Sequence, residues 1–148
     1  MRLEELLKKG ESEYCRRTPK SRQLHSFAKK FLPGGDTRSI TYFGPYPFYT
    51  ERAEGCQLQD VDGNRYVDFV NNYASLVHGH AHPKIVAALK EQLERGWTYA
   101  TGAECQYRMA EIICKRFPSV EKLRFCNSGT EGTMGAIQAA RAYTGRDK

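Results

Sequence analysis

The segment Leu123–Glu131 constrains the fold of this chain more than any other part of the sequence. A short apolar stretch, Leu123–Cys126, predicts a strand. The turn Asn127–Thr130 follows at once, and a helical pattern begins at about Glu131. A strand that passes through a tight turn into a helix is typical of the parallel sheet of an α/β domain.

Two predicted helices precede this strand. One begins at Pro83, which suits the first helical position, and ends before Gly96. The other spans Cys105–Phe117 and is stopped by Pro118. Because one strand cannot form a parallel sheet, we expect these 148 residues to be the N-terminal part of a larger protein of the α/β class.

A small antiparallel sheet is predicted upstream, over Phe48–Val70. Residues Phe48–Asp60 and Arg65–Val70 have strand-like patterns, and Asp62-Gly63 between them is a strong two-residue hairpin signal.

Two helices are predicted near the N-terminus. The first spans Arg2–Lys9, with Gly10 as its stop, and a polar link over Glu11–Lys20 follows. Ser21 is expected to cap a second helix that reaches Phe31.

The positive charge of the chain is concentrated in this N-terminal arm. The whole sequence has 23 basic and 17 acidic residues, a net charge of +6. The first 38 residues contain 10 of the basic and 5 of the acidic ones, whereas the other 110 contain 13 and 12. No nucleic-acid recognition motif accompanies the charge, so we predict a solvated arm, or one docked on an acidic surface, and no nucleic-acid partner.

The sequence has no signal for a membrane or for a disulfide framework. It lacks a run of about 18 apolar residues, which a spanning helix needs. Its five cysteines form no C-x-x-C pair, which favours reduced thiols in the cytoplasm over disulfides or a zinc site.

Two other patterns resemble metal sites but fit poorly. Asp60-x-Asp62-x-Asn64 begins like a calcium loop, yet its sixth position is Arg65 and its twelfth is Asn71. The alternating His78, His80 and His82 surround Gly79 and precede a helix start, which indicates a turn. No metal is therefore predicted.

The turn before the last helix has the features of a phosphate-binding site. The free N–H groups of a first helical turn point toward one spot, and the helix dipole adds positive potential there. Gly129 allows close approach of a ligand, and Ser128 and Thr130 add hydroxyl donors. Ser128-x-x-Glu131 is also a simple capping box, and the two interpretations are compatible.

Several motifs together resemble one family. Residues Phe125–Lys148, FCNSGTEGTMGAIQAARAYTGRDK, resemble the phosphate-binding segment of the class III pyridoxal-phosphate aminotransferases, in particular the glutamate-1-semialdehyde aminomutase-like branch. Three further segments match in the order of the family: Leu32–Gly35, Asp60–Asp68 and Gly79–Pro83.

The resemblance implies a fold-type-I pyridoxal-phosphate enzyme that forms a homodimer with its sites at the subunit interface. It places the cofactor phosphate at Ser128, Gly129 and Thr130. It also implies three regions: a basic helical arm (1–35), a substrate-side segment with the antiparallel hairpin (36–76), and the start of the cofactor-binding large domain (77–148). The aldimine-forming lysine of the family would lie beyond Lys148, so no catalytic residue is assigned in this chain.

Two positions are expected to face substrate. Arg38 lies in P-G-G-D-T-R-S, and in related aminotransferases that act on β-amino acids an arginine in a similar segment binds the substrate carboxylate. The aminomutase itself differs there, and a plain surface arginine is the alternative. Tyr73 lies where the family often places an aromatic residue near substrate, although core packing would also explain it.

The expected function is therefore that of a pyridoxal-phosphate-dependent aminotransferase or aminomutase acting on an amino acid or amino-aldehyde. The alternative is non-catalytic: a truncated remnant, or an interaction module that uses its basic arm.

Overall fold

The computed structural model describes residues 2–146, which form two compact units, 2–95 and 96–146. The elements of the first unit are α1 (Leu3–Arg17), α2 (Pro19–Ala28), β1 (Thr50–Glu54), β2 (Gln57–Asp60), β3 (Arg65–Val67) and α3 (Pro83–Glu94). Those of the second are α4 (Glu104–Arg116) and α5 (Gly129–Thr144).

Helix α1 is longer than the sequence pattern predicts. The predicted stop at Gly10 and the polar link over Glu11–Lys20 are both wrong, because the helix continues through this exposed glycine to Arg17. A glycine inside a helix costs only about 1 kcal/mol. The C-terminal half of α1 offsets that cost, since Tyr14 packs against the Tyr46 ring at 5.3 Å and donates a hydrogen bond to the Tyr46 carbonyl oxygen.

Helix α2 begins at Pro19 and ends at Ala28, so the predicted Ser21 cap and the predicted end at Phe31 are wrong. Proline disfavours a helical conformation at the residue before it, which separates α2 from α1 at Thr18. The Ser21 hydroxyl is used elsewhere: it is buried and donates to the Asp62 carboxylate at 2.8 Å.

The predicted antiparallel sheet is present and has three strands in the order β1-β2-β3. Gln57 pairs with Val67 across the Asp62-Gly63 turn, which confirms that hairpin. The single strand predicted over Phe48–Asp60 is wrong, because Gly55, with φ +55°, turns the chain and divides it into β1 and β2.

The Asp62-Gly63 hairpin loop fixes the N-terminal arm to the sheet. The Asp62 carboxylate accepts hydrogen bonds from the backbone N–H groups of Lys20 and Ser21, in the first turn of α2, at 2.7 and 3.0 Å. Asn64 exchanges hydrogen bonds with Arg17. The carboxylates that resemble a calcium loop in sequence thus serve as helix and turn anchors, and within residues 2–146 no three metal-ligating side chains come together.

The second unit lacks the predicted strand. Residues 123–126 form no strand, since a ladder requires a neighbouring strand and none is present in the described part of this unit. Helix α5 begins at Gly129, two residues before the predicted start. Across the described residues of both units, no helix is long and apolar enough to cross a membrane.

Candidate functional site

The N-terminus of α5 is organised by reciprocal side-chain caps. The Ser128 hydroxyl accepts a hydrogen bond from the Glu131 N–H at 3.2 Å. The Glu131 carboxylate in turn accepts one from the Asn127 N–H at 2.7 Å. The expected cap is therefore present, although Glu131 reaches the amide of Asn127 and not that of Ser128.

Two backbone amides at this helix start remain available. The N–H groups of Gly129 and Thr130 have no acceptor among residues 2–146, and both residues are exposed. A Cβ built on Gly129 would meet no atom within 4 Å, so the space beside the turn is open. A phosphate dianion fits this turn for three reasons. The two free N–H groups can donate to it, the hydroxyls of Ser128 and Thr130 can do the same, and the positive end of a 16-residue helix attracts its charge.

Cys126 is a neighbour of this turn that the sequence did not single out. Its Sγ lies 3.4 Å from the Ser128 carbonyl oxygen and would lie 3.4 Å from a Cβ on Gly132. A Cβ at position 132 would therefore lie in van der Waals contact with the thiol.

A cavity of about 670 Å³ lies in the first unit, between the loop after α2 and the segment that follows β3. Its lining includes Tyr73, Asp68 and His80, together with Asp36 and Thr41. Arg38 belongs to the same loop but is exposed and lies outside the cavity lining.

The loop that carries Arg38 is held by Asp36. The Arg38 N–H donates to Asp36 Oδ1 at 3.1 Å, and the Thr41 hydroxyl lies 2.5 Å from Asp36 Oδ2. The hydrogen bond from Thr41, with that from the Arg38 backbone, lowers the pKa of Asp36 below its ordinary value. The carboxylate is therefore charged at neutral pH.

Tyr73 lies on a left-handed helical turn, Asn71–Ala74, whose four residues have φ between 48° and 63°. Such a conformation costs roughly 1–2 kcal/mol per residue outside glycine, with asparagine the most tolerant, so surrounding contacts must hold it. The Tyr73 hydroxyl donates to the Ile40 carbonyl oxygen at 3.4 Å. The two residues predicted to face substrate thus belong to segments that touch.

Asp68 and His80 hold this turn. Asp68 Oδ1 accepts from the N–H groups of Val70 and Asn71, both at 2.9 Å, and Oδ2 lies 2.6 Å from His80 Nε2. The His80 contact, followed by the Asn71 amide, lowers the pKa of Asp68. His80 is itself fixed by paired backbone hydrogen bonds with Gly55.

Comparison with known proteins decides the family. The sequence profile of class III aminotransferases matches residues 42–148. The chain belongs to this family. The expected resemblance and the α/β, fold-type-I class are confirmed, and pyridoxal phosphate is the cofactor of the family.

Three relatives illustrate the similarity. A glutamate-1-semialdehyde 2,1-aminomutase from Archaeoglobus fulgidus is 50% identical over 129 residues, which cover 87% of this chain and 31% of that protein. The crystal structure of a β-phenylalanine aminotransferase from Variovorax paradoxus covers 98% of this chain and 34% of its own, with 35% identity and a TM-score of 0.91. A solved transaminase with pyridoxal phosphate bound covers 88% and 31%, with 41% identity and a TM-score of 0.84.

The chain thus spans about a third of the length of the relatives that it matches. Of the residues predicted from the sequence, the structure brings Ser128, Gly129 and Thr130 together at one helix start, and it joins the Arg38 loop to Tyr73. Asp36 and Thr41 were missed. Asp68 and His80 were quoted only as parts of matching motifs, and nothing in the sequence indicates that they form a pair.

Proposed function

We propose that the full-length protein is a pyridoxal-phosphate-dependent aminotransferase or aminomutase that acts on an amino acid or amino-aldehyde. The start of α5 carries this proposal, since its two free amides and two hydroxyls fit a phosphate group and lie in the segment that matches the family. A non-catalytic remnant, by contrast, has no specific contact in the described residues to support it.

Gly129 and Thr130 would hold the cofactor phosphate through their backbone N–H groups, and Ser128 and Thr130 through their hydroxyls. When bound, pyridoxal phosphate supplies the electron sink for chemistry at the substrate amine carbon. The role of this turn is to anchor and orient the group. Cap bonds through Ser128 and Glu131 keep the free amides aligned before the ligand arrives, which lowers the ordering cost of binding.

Arg38 would bind the carboxylate of the substrate. A guanidinium can donate two parallel hydrogen bonds to a carboxylate, and no acidic side chain within residues 2–146 forms an ion pair with Arg38. Tyr73, which lines the cavity beside the loop of Arg38, would contribute an aromatic surface beside the substrate. The solved β-phenylalanine aminotransferase from Variovorax paradoxus is named for a substrate with such a carboxylate.

The relatives are named for two reactions, that of an aminomutase and that of an aminotransferase, and both are proposed as candidates here. The curated relatives are named as aminomutases, whereas the Arg38 segment resembles that of aminotransferases for β-amino acids. We also propose a homodimer in the cytoplasm, as the family resemblance implies. All five cysteines are free thiols, which suits a reducing compartment.

The test is a titration of full-length apoprotein with pyridoxal phosphate, followed by visible absorbance. The double variant Ser128→Ala/Thr130→Ala should bind the cofactor more weakly by about 1–3 kcal/mol, because charge-assisted hydrogen bonds are lost. Thr144→Val is a matched control, since it removes a threonine hydroxyl bonded to the Ala140 carbonyl at the other end of the same helix. Unchanged affinity in the double variant would refute the phosphate site.

A further inference from the structure

We propose that Asp36 and Thr41 are positioning residues for Arg38, which fix its backbone and thereby set the selectivity of the enzyme for substrates that carry a carboxylate. This inference rests on the role of Arg38 proposed above. Neither residue needs to touch the substrate itself, because both act through the loop.

The contacts form a closed clamp around one residue. The Arg38 N–H donates to Asp36 Oδ1 at 3.1 Å, and the Arg38 carbonyl oxygen accepts from the Thr41 N–H at 3.1 Å. The Thr41 hydroxyl completes the ring, 2.5 Å from Asp36 Oδ2 and 2.7 Å from the Arg38 carbonyl oxygen. Both polar groups of the Arg38 backbone are therefore fixed by the same two residues, Asp36 and Thr41.

The clamp leaves the guanidinium available. Asp36 lies only two residues from Arg38, yet its carboxylate accepts hydrogen bonds from the Arg38 N–H and the Thr41 hydroxyl. Among the described residues, no ion pair joins it to the Arg38 guanidinium. A mobile arginine loses side-chain conformational entropy when it binds a ligand. A fixed backbone lowers the remaining entropic cost of substrate binding, because the loop is already ordered before the substrate arrives.

The loop is also fixed at points outside the clamp. Gly35, with φ +80°, packs against the buried ring of His25, and a Cβ at this position would lie 2.8 Å from His25 Cε1. On the other side of Arg38, the Ile40 carbonyl oxygen accepts from the Tyr73 hydroxyl. Asp36 and Thr41 are thus the internal brace of a segment whose two ends are held by the rest of the unit.

The test is a double-mutant cycle in the full-length holoenzyme, with Thr41→Val, Arg38→Ala and the two combined. The amine donors are β-phenylalanine and 1-phenylethylamine, which differ only in the carboxylate. Thr41→Val should raise KM for β-phenylalanine about tenfold with kcat nearly unchanged, and should leave 1-phenylethylamine unaffected. In the Arg38→Ala background the same substitution should have no further effect on KM.

Two conservative changes guard against a merely structural effect. Thr41→Ser keeps the hydroxyl and should restore the wild-type KM, and Asp36→Asn should reproduce the effect of Thr41→Val if the latter variant does not fold. Thr144→Val serves again as the control for loss of a threonine hydroxyl.

The outcomes separate the two proposals. A wild-type enzyme that does not prefer β-phenylalanine, or an Arg38→Ala variant that keeps the preference, contradicts the role of Arg38 and with it this inference. Loss of the preference in Arg38→Ala but not in Thr41→Val overturns the positioning role alone. Equal losses from Thr41→Val in the presence and absence of Arg38 overturn it as well.

Discussion

Each of the two units is stabilised from within by a different kind of contact. In the first, side-chain hydrogen bonds join residues far apart in sequence, such as Ser21 with Asp62 and Tyr14 with Tyr46. Its buried side chains are mostly polar and include Thr18, Ser21 and Asp60, each fully buried. The first unit is thus stabilised by hydrogen bonds between its own distant residues.

The side-chain hydrogen bonds described for the second unit, over residues 96–146, are of shorter range. Within the described residues 96–146, no side chain is buried, and each side-chain hydrogen bond found there joins residues at most seven positions apart. The apolar faces of its helices are open: Met109 is 51% exposed and Met134 is 56% exposed. The first unit also has open apolar helix faces, since Leu89 of α3 is 58% exposed. The two units therefore differ in their long-range side-chain hydrogen bonds and not in the exposure of their helices.

Substitution of Asp60, in the first unit, should cause the largest loss of folding stability. Its buried carboxylate accepts hydrogen bonds from the N–H groups of Asp62 and Asn64, from the Asn64 side-chain amide and from the Tyr66 hydroxyl. Asp60→Ala leaves these donors without a partner and should destabilise full-length protein by about 3 kcal/mol or more. Denaturant unfolding measures this loss.

A matched carboxylate in the second unit gives the comparison. Glu104 is bound to Arg108 at 2.6 Å, but both side chains are 74% exposed. Glu104→Ala should leave the unfolding midpoint almost unchanged, since exposed ion pairs contribute little. Similar losses from the two variants would mean that the units are stabilised alike.

A smaller effect is expected from pH. His25 is buried against Tyr46, and burial lowers its pKa. The unfolded chain, with an ordinary histidine pKa of about 6.5, then binds more protons than the folded one below that pH. The contribution of His25 to stability is therefore full above pH 6.5 and declines as the pH falls below it. Carboxylates with lowered pKa values, among them Asp36, Asp62 and Asp68, lose their contribution to stability only in more acidic solution.

The measurement is the melting temperature between pH 7.5 and 5. His25→Leu should reduce its decline over this range, whereas His78→Leu, at an exposed position, should not. An unchanged slope in His25→Leu would show that protonation of His25 is not coupled to unfolding.

The same contrast explains what the sequence could predict. The Asp62-Gly63 hairpin, the helix start at Pro83 and the cap at Ser128 were predicted because each depends on a few neighbouring residues. The continuation of α1 through Gly10 was not, because it depends on Tyr14 meeting Tyr46, 32 positions away.

Long-range partners account for most of what was missed. Asp62 reads as part of a turn, and only the fold shows that it also caps α2. The left-handed turn at Asn71–Ala74 has no sequence signal beyond its two asparagines, since Asp68 and His80 hold it from outside. At the candidate site, the local cap at Ser128 was predicted and the clamp around Arg38 was not.

Amide hydrogen exchange of full-length protein, with and without pyridoxal phosphate, measures whether the open amides of Gly129 and Thr130 receive the cofactor phosphate. We expect the cofactor to slow exchange at these two amides and to leave those of Lys20 and Ser21, already bonded to Asp62, unchanged. Binding of the cofactor with no added protection at Gly129 and Thr130 would contradict this expectation.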